Sequence, residues 1–378
     1  MRVGYTAVLV IMLSHPVFAA NSITVGELRT TIARRIAAKV KDEDLARQLS
    51  SFSLRERLTG QSMDSILSTG TLGTKTREML QVLADSSAFL DPPASEIPQQ
   101  AAPDSAAQQK MMNAAVNFVA VTLRHLPDFL ARRETRSFDN SPLVVTHSGW
   151  APSNPELHLA GQFVQEITYR NGREVAIHFV SNSGADAKQG ASSPGLTSTG
   201  EFGPVLAVIL RDAAKGTVSW SHWERAQQGL VGVFNYSVPK AASHYEVSFC
   251  CVRGSEDAQS YSGSDEGTSN SYHGTPAYEG KLFIDPTTGS ILRITVDPEL
   301  SADGPIPRSE ISVSYGPVEI GGTRYICPVH SVAVSEARTR LGGDMGERTI
   351  LRINQVEFTN YHRFGSSSRI LDVETKPQ

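Results

Sequence analysis

Between residues 23 and 90 the apolar positions fall three and four apart. Leu28, Ile32, Ile36 and Val40 form one stripe, Leu45, Leu49 and Phe52 continue it, and Met79, Leu80, Leu83 and Phe89 form another. That spacing puts each set on one side of a helix. Breaks at Thr59-Gly60 and from Gly70 to Gly73 divide the region into helices too short to hold alone in water, so they must pack together or onto something else. The pattern predicts a small helical region over residues 21–90.

Residues 91–108 read as a linker. Asp91-Pro92-Pro93, Pro98 and Pro103 lie among Ala, Ser and Gln, and proline, which lacks a donor, favours an extended chain. A longer helix is predicted from about Gln108 to His125, with Asp104 or Ser105 as its cap and Met112, Val116, Val119 and Leu123 as its apolar face. Beyond it the period changes to two. Ile177–Val180, Val218–Glu224, Leu230–Val238, Tyr245–Val252, Ser309–Tyr315, Arg324–Val334 and Thr349–Phe358 are short runs rich in β-branched and aromatic residues. Lys281–Val296 reads as a hairpin around Asp285-Pro286-Thr287-Thr288-Gly289, and Gly321-Gly322 allows a second tight reversal. Short connections predict an antiparallel meander. One helix interrupts it, opened by Gly203-Pro204 and stopped by Lys215-Gly216. The polar stretches 183–200 and 254–274 read as loops and the residues after 365 as a frayed tail. The fold class is α+β, with a β domain over residues 109–365, helices packed on its sheet, and a tail over 366–378.

The N-terminus adds an address. A basic Met1-Arg2-Val3, an apolar run from Ala7 to Leu13, and Val17 and Ala19 at the −3 and −1 positions have the order of a cleavable secretory signal over residues 1–19. Cleavage after Ala19 or Ala20 leaves a chain that does not start with Cys, so no lipid anchor is expected. No later window is long and apolar enough for a membrane span. The expected location is the periplasm or the exterior. In such a compartment Cys251 and Cys327, out of three cysteines, are the candidate disulfide, with three small buried residues as the alternative. Net charge is −4, and the basic residues are scattered, which argues against a nucleic-acid partner. Arg132, Arg133 and Arg136 read as a solvated helix end.

Candidate chemistry is sparse. Among ten histidines, the segment Trp220-Ser221-His222-Trp223-Glu224 is the most suggestive. On a strand His222 and Glu224 share a face, and Ser221 points away. The spacing supplies no further ligands, so neither a metal nor a cofactor is expected, and no catalytic residue is assigned. No nucleophile elbow, zinc-protease helix or phosphate loop occurs in the sequence. The stronger signal is the large apolar content of one strand face, which includes Phe234, Tyr236, Phe249 and Tyr315. Such a face is covered by helices or by a hydrophobic ligand, and these four are the candidate ligand-binding residues.

The C-terminal half resembles a family of exported bacterial half-barrels, the LolA and LolB lipoprotein-localisation factors and the RseB-type periplasmic sensors. The likeness rests on Gly280–Arg293 with its Asp285-Pro286-Thr287-Thr288-Gly289 turn, Val313-Ser314-Tyr315, Ile320-Gly321-Gly322-Thr323-Arg324-Tyr325, and the closing Val356–Phe364 strand. It covers residues 275–365 well and 170–255 loosely. The whole chain is also similar to a group of exported bacterial proteins of unassigned activity, through Phe89–Pro93, Glu201–Pro204, Trp220–Glu224 and Phe249–Val252. The resemblance implies a curved, half-barrel antiparallel sheet whose concave face holds acyl chains or a lipidated partner. The expected function is non-enzymatic binding of a lipid, lipoprotein or other hydrophobic ligand. The alternatives are an envelope hydrolase or metal-dependent enzyme built on His222 and Glu224, and a structural interaction module.

Overall fold

The computed structural model describes residues 21–141, 156–181, 204–226, 229–249, 272–340 and 347–363. The signal segment, the tail, Cys250 and Cys251 lie outside the described residues, as do most of the two polar loops.

The helical region comprises α1 (Val25–Ala37), α2 (Asp42–Ser50), α3 (Gly60–Leu67) and α4 (Thr74–Ser86). Two of the four starts have a local side-chain cap. Thr24 and Glu27 form a reciprocal capping box on α1, and the Thr59 hydroxyl accepts from the Ser62 N–H at the start of α3. Asp42 serves two helices. It opens α2, and its carboxylate accepts from the Lys75 and Thr76 N–H groups at the start of α4. One expectation changes here. Phe52 belongs to a short strand, β2 (Phe52–Leu54), paired in parallel with β1 (Asn21–Ile23). A single apolar residue in helical register with Leu45 and Leu49 does not reveal that the chain has already turned.

The linker is extended except for one 3-10 turn at Ala94–Glu96, and it is tied down. Glu96 accepts hydrogen bonds from the Thr59 and Ser62 hydroxyls, and Ala101 O accepts from Trp223 Nε1 at 2.9 Å. Next comes α5 (Ser105–His125), capped by Asp104, whose carboxylate accepts from the Ala107 N–H at 2.7 Å. Then β3 (Phe129–Asp139), β4 (His158–Arg170), β5 (Arg173–Ser181), α6 (Pro204–Ala213), β6 (Thr217–Ala226) and β7 (Gly229–Val238) follow. After the short pair β8 (Val247–Phe249) and β9 (Tyr272–Gly274), the chain runs through β10 (Tyr278–Ile284), β11 (Ile291–Pro298), β12 (Arg308–Ile320), β13 (Thr323–Arg340) and β14 (Glu347–Arg363).

Ten of these strands make one antiparallel sheet, in the order β5-β4-β3-β14-β13-β12-β11-β10-β7-β6. The expected meander is present from β10 to β14. The structure adds that β3 pairs with β14, so the first strands of the sheet attach to the last. Among the described residues β5 and β6 are its two edges, and the sheet is not closed into a barrel.

β3 corrects the reading of the arginines. Arg132, Arg133 and Arg136 lie in a strand and not at a helix end. Alternation sends Phe129, Ala131, Arg133, Thr135 and Ser137 to one face, where all are buried. Arg133 is 2% exposed and stacks near Phe358, and Arg136 on the other face pairs with Glu78 of α4. Charged residues hid the period-2 pattern. The Asn171-Gly172 turn between β4 and β5 was the readable signal, since both residues take positive φ, 53° and 79°, as a two-residue hairpin requires.

The sheet is covered on both faces. Leu80, Leu83 and the rest of the helical region pack on Phe138, Val332, Val334 and Ile353. On the opposite face α5 and α6, through Met111, Ala115, Val119, Leu206 and Ile209, pack on Phe234, Tyr236, Leu282, Ile294, Val313 and Tyr315. Full burial of these side chains supplies about 1.5–3 kcal/mol each against exposure.

Candidate functional site

Direct cross-strand partners share a face, and one row of partners can be followed across eight strands. Trp220 faces Phe234, Phe234 faces Leu282, Leu282 faces Ile294, and Ile294 faces Val313. Val313 then faces Ser331, Ser331 faces Val356, and Val356 faces Thr135. The row is wholly apolar from β6 to β12 and turns partly polar at β13. Phe234, Tyr236 and Tyr315, three of the four candidate ligand residues, lie on the apolar part and are buried beneath α5 and α6. The side chain of Phe249, at the end of β8, is outside the described part of the structure.

Tyr236 is held by its tip. Its hydroxyl donates to Thr295 O at 2.7 Å. Gly280 makes the room, since a Cβ there would meet Thr295 O at 1.9 Å and the Tyr236 hydroxyl at 2.6 Å. Burial raises the Tyr236 phenol well above its ordinary range. Tyr315 lines a cavity of about 20 Å³ at the joint of α5, α6 and the sheet, together with Phe118, Val119, Leu206, Ile291 and Ile326. The void has room for no more than about one water, and its walls are apolar apart from Thr122. The helices therefore fill the aromatic face in this conformation.

α6 is fastened at its C-terminal end. Asp212, fully buried, accepts from the His244 N–H and Nδ1, each at 2.7 Å, and from the Tyr278 hydroxyl at 3.1 Å. Burial opposes its charge, and the hydrogen bonds from His244 and Tyr278 outweigh that, lowering its pKa. Beyond this end, an open cleft of about 660 Å³ is lined by Lys215, Tyr278, Glu279, Asp297 and Glu299. Burial, reinforced by the Glu310 and Glu279 charges, raises Asp297 to about 6.

His222 and Glu224 lie on the other face of the sheet, against the helical region. The expectation that Ser221 points away from them is not met, because the pairing register of β6 shifts between Trp220 and His222. Ser221 Oγ is 2.9 Å from His222 Nδ1, and His222 Nε2 is 3.6 Å from Glu224 Oε2. Glu224 has stronger partners. Its Oε1 is 2.5 Å from Arg57 Nη2 and 3.6 Å from Arg293 Nη2, and the Arg293 guanidinium stacks on Phe283 at 3.6 Å. Burial opposes ionisation of Glu224, but His222, Arg293 and Arg57 outweigh it and hold the carboxyl at about 2. A carboxyl held that low takes up no proton near neutrality, so it is poorly matched to general acid–base work. Arg57, which the sequence reading did not single out, makes the cluster a junction between the helical region and the sheet. Among the described residues no group of three or more His, Cys, Asp or Glu side chains is placed to hold a metal ion.

Cys327 is 1% exposed within a cluster that includes Phe129, Tyr169 and Phe358. Burial raises its thiol to about 12. Cys327 is a free cysteine in this structure, and its expected partner, Cys251, is outside the described residues. No helix of the described residues is long and apolar enough to cross a membrane.

No protein-family model, curated protein or solved structure matches the chain.

Proposed function

We propose that this chain is an exported, non-enzymatic binding protein of the cell envelope. In this reading its sheet is a half-barrel of the lipoprotein-localisation kind. The ligand is a lipid, a lipoprotein or another hydrophobic molecule, received on the aromatic face beneath α5 and α6. The observation that carries the reading is the apolar row Trp220–Phe234–Leu282–Ile294–Val313, which spans five strands under two helices. A ligand occupies this face by displacing part of that cover, starting from the small cavity at Tyr315. Opening is the cost that the ligand's own apolar burial must offset, at about 25 cal/mol per Å². The secretory signal and a Cys251–Cys327 disulfide belong to the same proposal, since both fit an oxidising compartment.

Native mass spectrometry of the protein purified without detergent tests the reading. The expected result is a set of adducts that organic solvent removes. A bare polypeptide mass, together with no uptake of a fluorescent fatty acid, would refute it.

A further inference from the structure

Charge is distributed unevenly along α1 and the loop that leaves it. From Val25 to Lys41 there are five cations, Arg29, Arg34, Arg35, Lys39 and Lys41, and one carboxylate, Glu27, a net of +4 in a chain whose net charge is −4. Glu27 is already paired, at 3.2 Å, with Arg55 beyond β2. Among the described residues none of the five cations pairs with a carboxylate, whereas the next four cations of the helical region, Arg47, Arg55, Arg57 and Lys75, all do. Arg29 Nη1 donates to Ser65 Oγ at 3.1 Å and Arg35 Nε to Gln48 Oε1 at 2.7 Å, contacts that leave both charges uncompensated. Arg29, Arg34, Lys39 and Lys41 are exposed, and the exposed positions among them, Ala33, Ala37 and Ala38, are short. The longer cations can therefore reach a flat surface.

Two features separate this patch from an ordinary solvated helix. The first is the backbone at Lys39. The dipole of α1 favours Arg34 and Arg35 in its last turn, but Lys39 closes the helix with φ of +51°, and the N–H groups of Lys39 and Val40 donate to the Ile36 and Arg35 carbonyls at 2.9 and 3.1 Å. A helix closed in this way ordinarily has glycine or asparagine at the left-handed position, because a Cβ is strained there. This chain bears the strain with a lysine. The second feature is Leu67, 40% exposed at the end of α3. It lies between Ser65, which meets Arg29, and Gly70, where a Cβ would come within 3.1 Å of Ile36 Cγ2. A basic helix face beside an exposed leucine suits the head-group level of an anionic bilayer, where cations meet phosphates and the leucine enters the acyl boundary. Nucleic acid would use the charges and leave the leucine in water.

We infer that Arg29, Arg34, Lys39, Lys41 and Leu67 form a docking surface for an anionic phospholipid membrane. The helical region packs on the sheet face opposite α5 and α6, so docking leaves the aromatic face uncovered. The inference goes beyond the proposed ligand site and uses none of its residues.

Co-sedimentation of the whole exported chain with vesicles tests it, using phosphatidylcholine alone and an equimolar mixture of phosphatidylcholine and phosphatidylglycerol. The wild type is expected to bind the mixed vesicles, to leave them as salt is raised, and to ignore phosphatidylcholine alone. Arg34→Glu/Lys39→Glu/Lys41→Glu is expected to bind at least about a hundredfold more weakly, with an unchanged circular dichroism spectrum. Lys39→Gly is expected to weaken binding about fivefold while melting no lower than the wild type. Leu67→Gln is expected to weaken binding without changing its salt dependence. Arg173→Glu/Lys240→Glu/Arg324→Glu reverses three exposed cations elsewhere and is expected to bind like the wild type. Equal binding to both kinds of vesicle, no vesicle binding by the wild type, or an equal loss from the two triple variants would each overturn the docking surface. Capture by heparin without capture by vesicles would also overturn it and assign the charges to a soluble polyanion. Uptake of a fluorescent fatty acid at the aromatic face is a separate readout, so the two readings fail independently.

Discussion

The junction between α4 and the sheet makes a quantitative prediction through His330. Its Nε2 is 3.0 Å from Asp85 Oδ1 and its Nδ1 is 2.7 Å from Glu357 Oε1, so both ring nitrogens face carboxylates and the doubly protonated ring suits the site. Gln355 Nε2 also donates to Asp85, at 2.6 Å. Burial opposes the charge, but the hydrogen bonds and charges of Asp85 and Glu357 outweigh it and raise His330 from 6.5 to about 10. At 1.36 kcal/mol for each pKa unit, the upper bound of the stabilisation is about 5 kcal/mol. Solvent reaches 22% of the side chain, and screening reduces the expected contribution to about 2–3 kcal/mol. Because the folded-state pKa is the higher one, the stabilisation is complete below about pH 6.5, declines as pH rises, and is gone above about pH 10. His330→Gln removes the charge at every pH. Urea unfolding followed by circular dichroism at pH 6, 8 and 10 should therefore show the variant less stable by about 2–3 kcal/mol at pH 6 and nearly equal to wild type at pH 10. Comparing the two proteins at each pH cancels the other groups that titrate in this window. A stability gap that stays constant from pH 6 to 10 would refute the assignment.

Other expectations follow from single contacts. Glu224→Gln leaves Arg57 and Arg293 buried without their carboxylate and should cost about 3–5 kcal/mol in chemical denaturation. Glu224 is lowered on folding, so its contribution is present above about pH 4.5 and is lost as pH falls through about 2; the acid limb of the variant's stability curve should be flatter than that of the wild type. Gly289→Ala should destabilise by at least about 1–2 kcal/mol on backbone grounds alone, since Gly289 has φ of +75° and a Cβ there would lie 2.6 Å from the Ala114 carbonyl carbon of α5; a thermal scan matching wild type would contradict that contact. Tyr236→Phe removes one buried hydrogen bond to Thr295 and should cost about 1 kcal/mol with an unchanged circular dichroism spectrum.

Local patterning determined much of this protein. Helical spacing placed α1, α2 and α4, proline and glycine bounded α6, and of the two caps offered for α5, Asp104 or Ser105, the structure uses Asp104, which starts the helix three residues before Gln108; caps and periods act within a few residues. The Asp285–Gly289 and Gly321-Gly322 turns were legible for the same reason: Asp285 Oδ1 accepts from the Thr287 and Thr288 N–H groups, and both glycines of the second turn take positive φ. Tertiary structure alone decided the rest. That β3 pairs with β14, that Arg57 meets Glu224, and that Asp85 meets His330 are contacts between residues 167 to 245 positions apart, which no local rule encodes. The aromatic residues of β7 and β12 were readable as buried, but what buries them was not. A strand's alternation reports that a face avoids water, and helices or a ligand satisfy that equally. Ser137 of β3, Ser309 of β12 and Ser331 of β13 show the converse. In the sequence they look like ordinary solvent-facing positions, and only the folded sheet, which buries both of its faces, makes their hydroxyls costly.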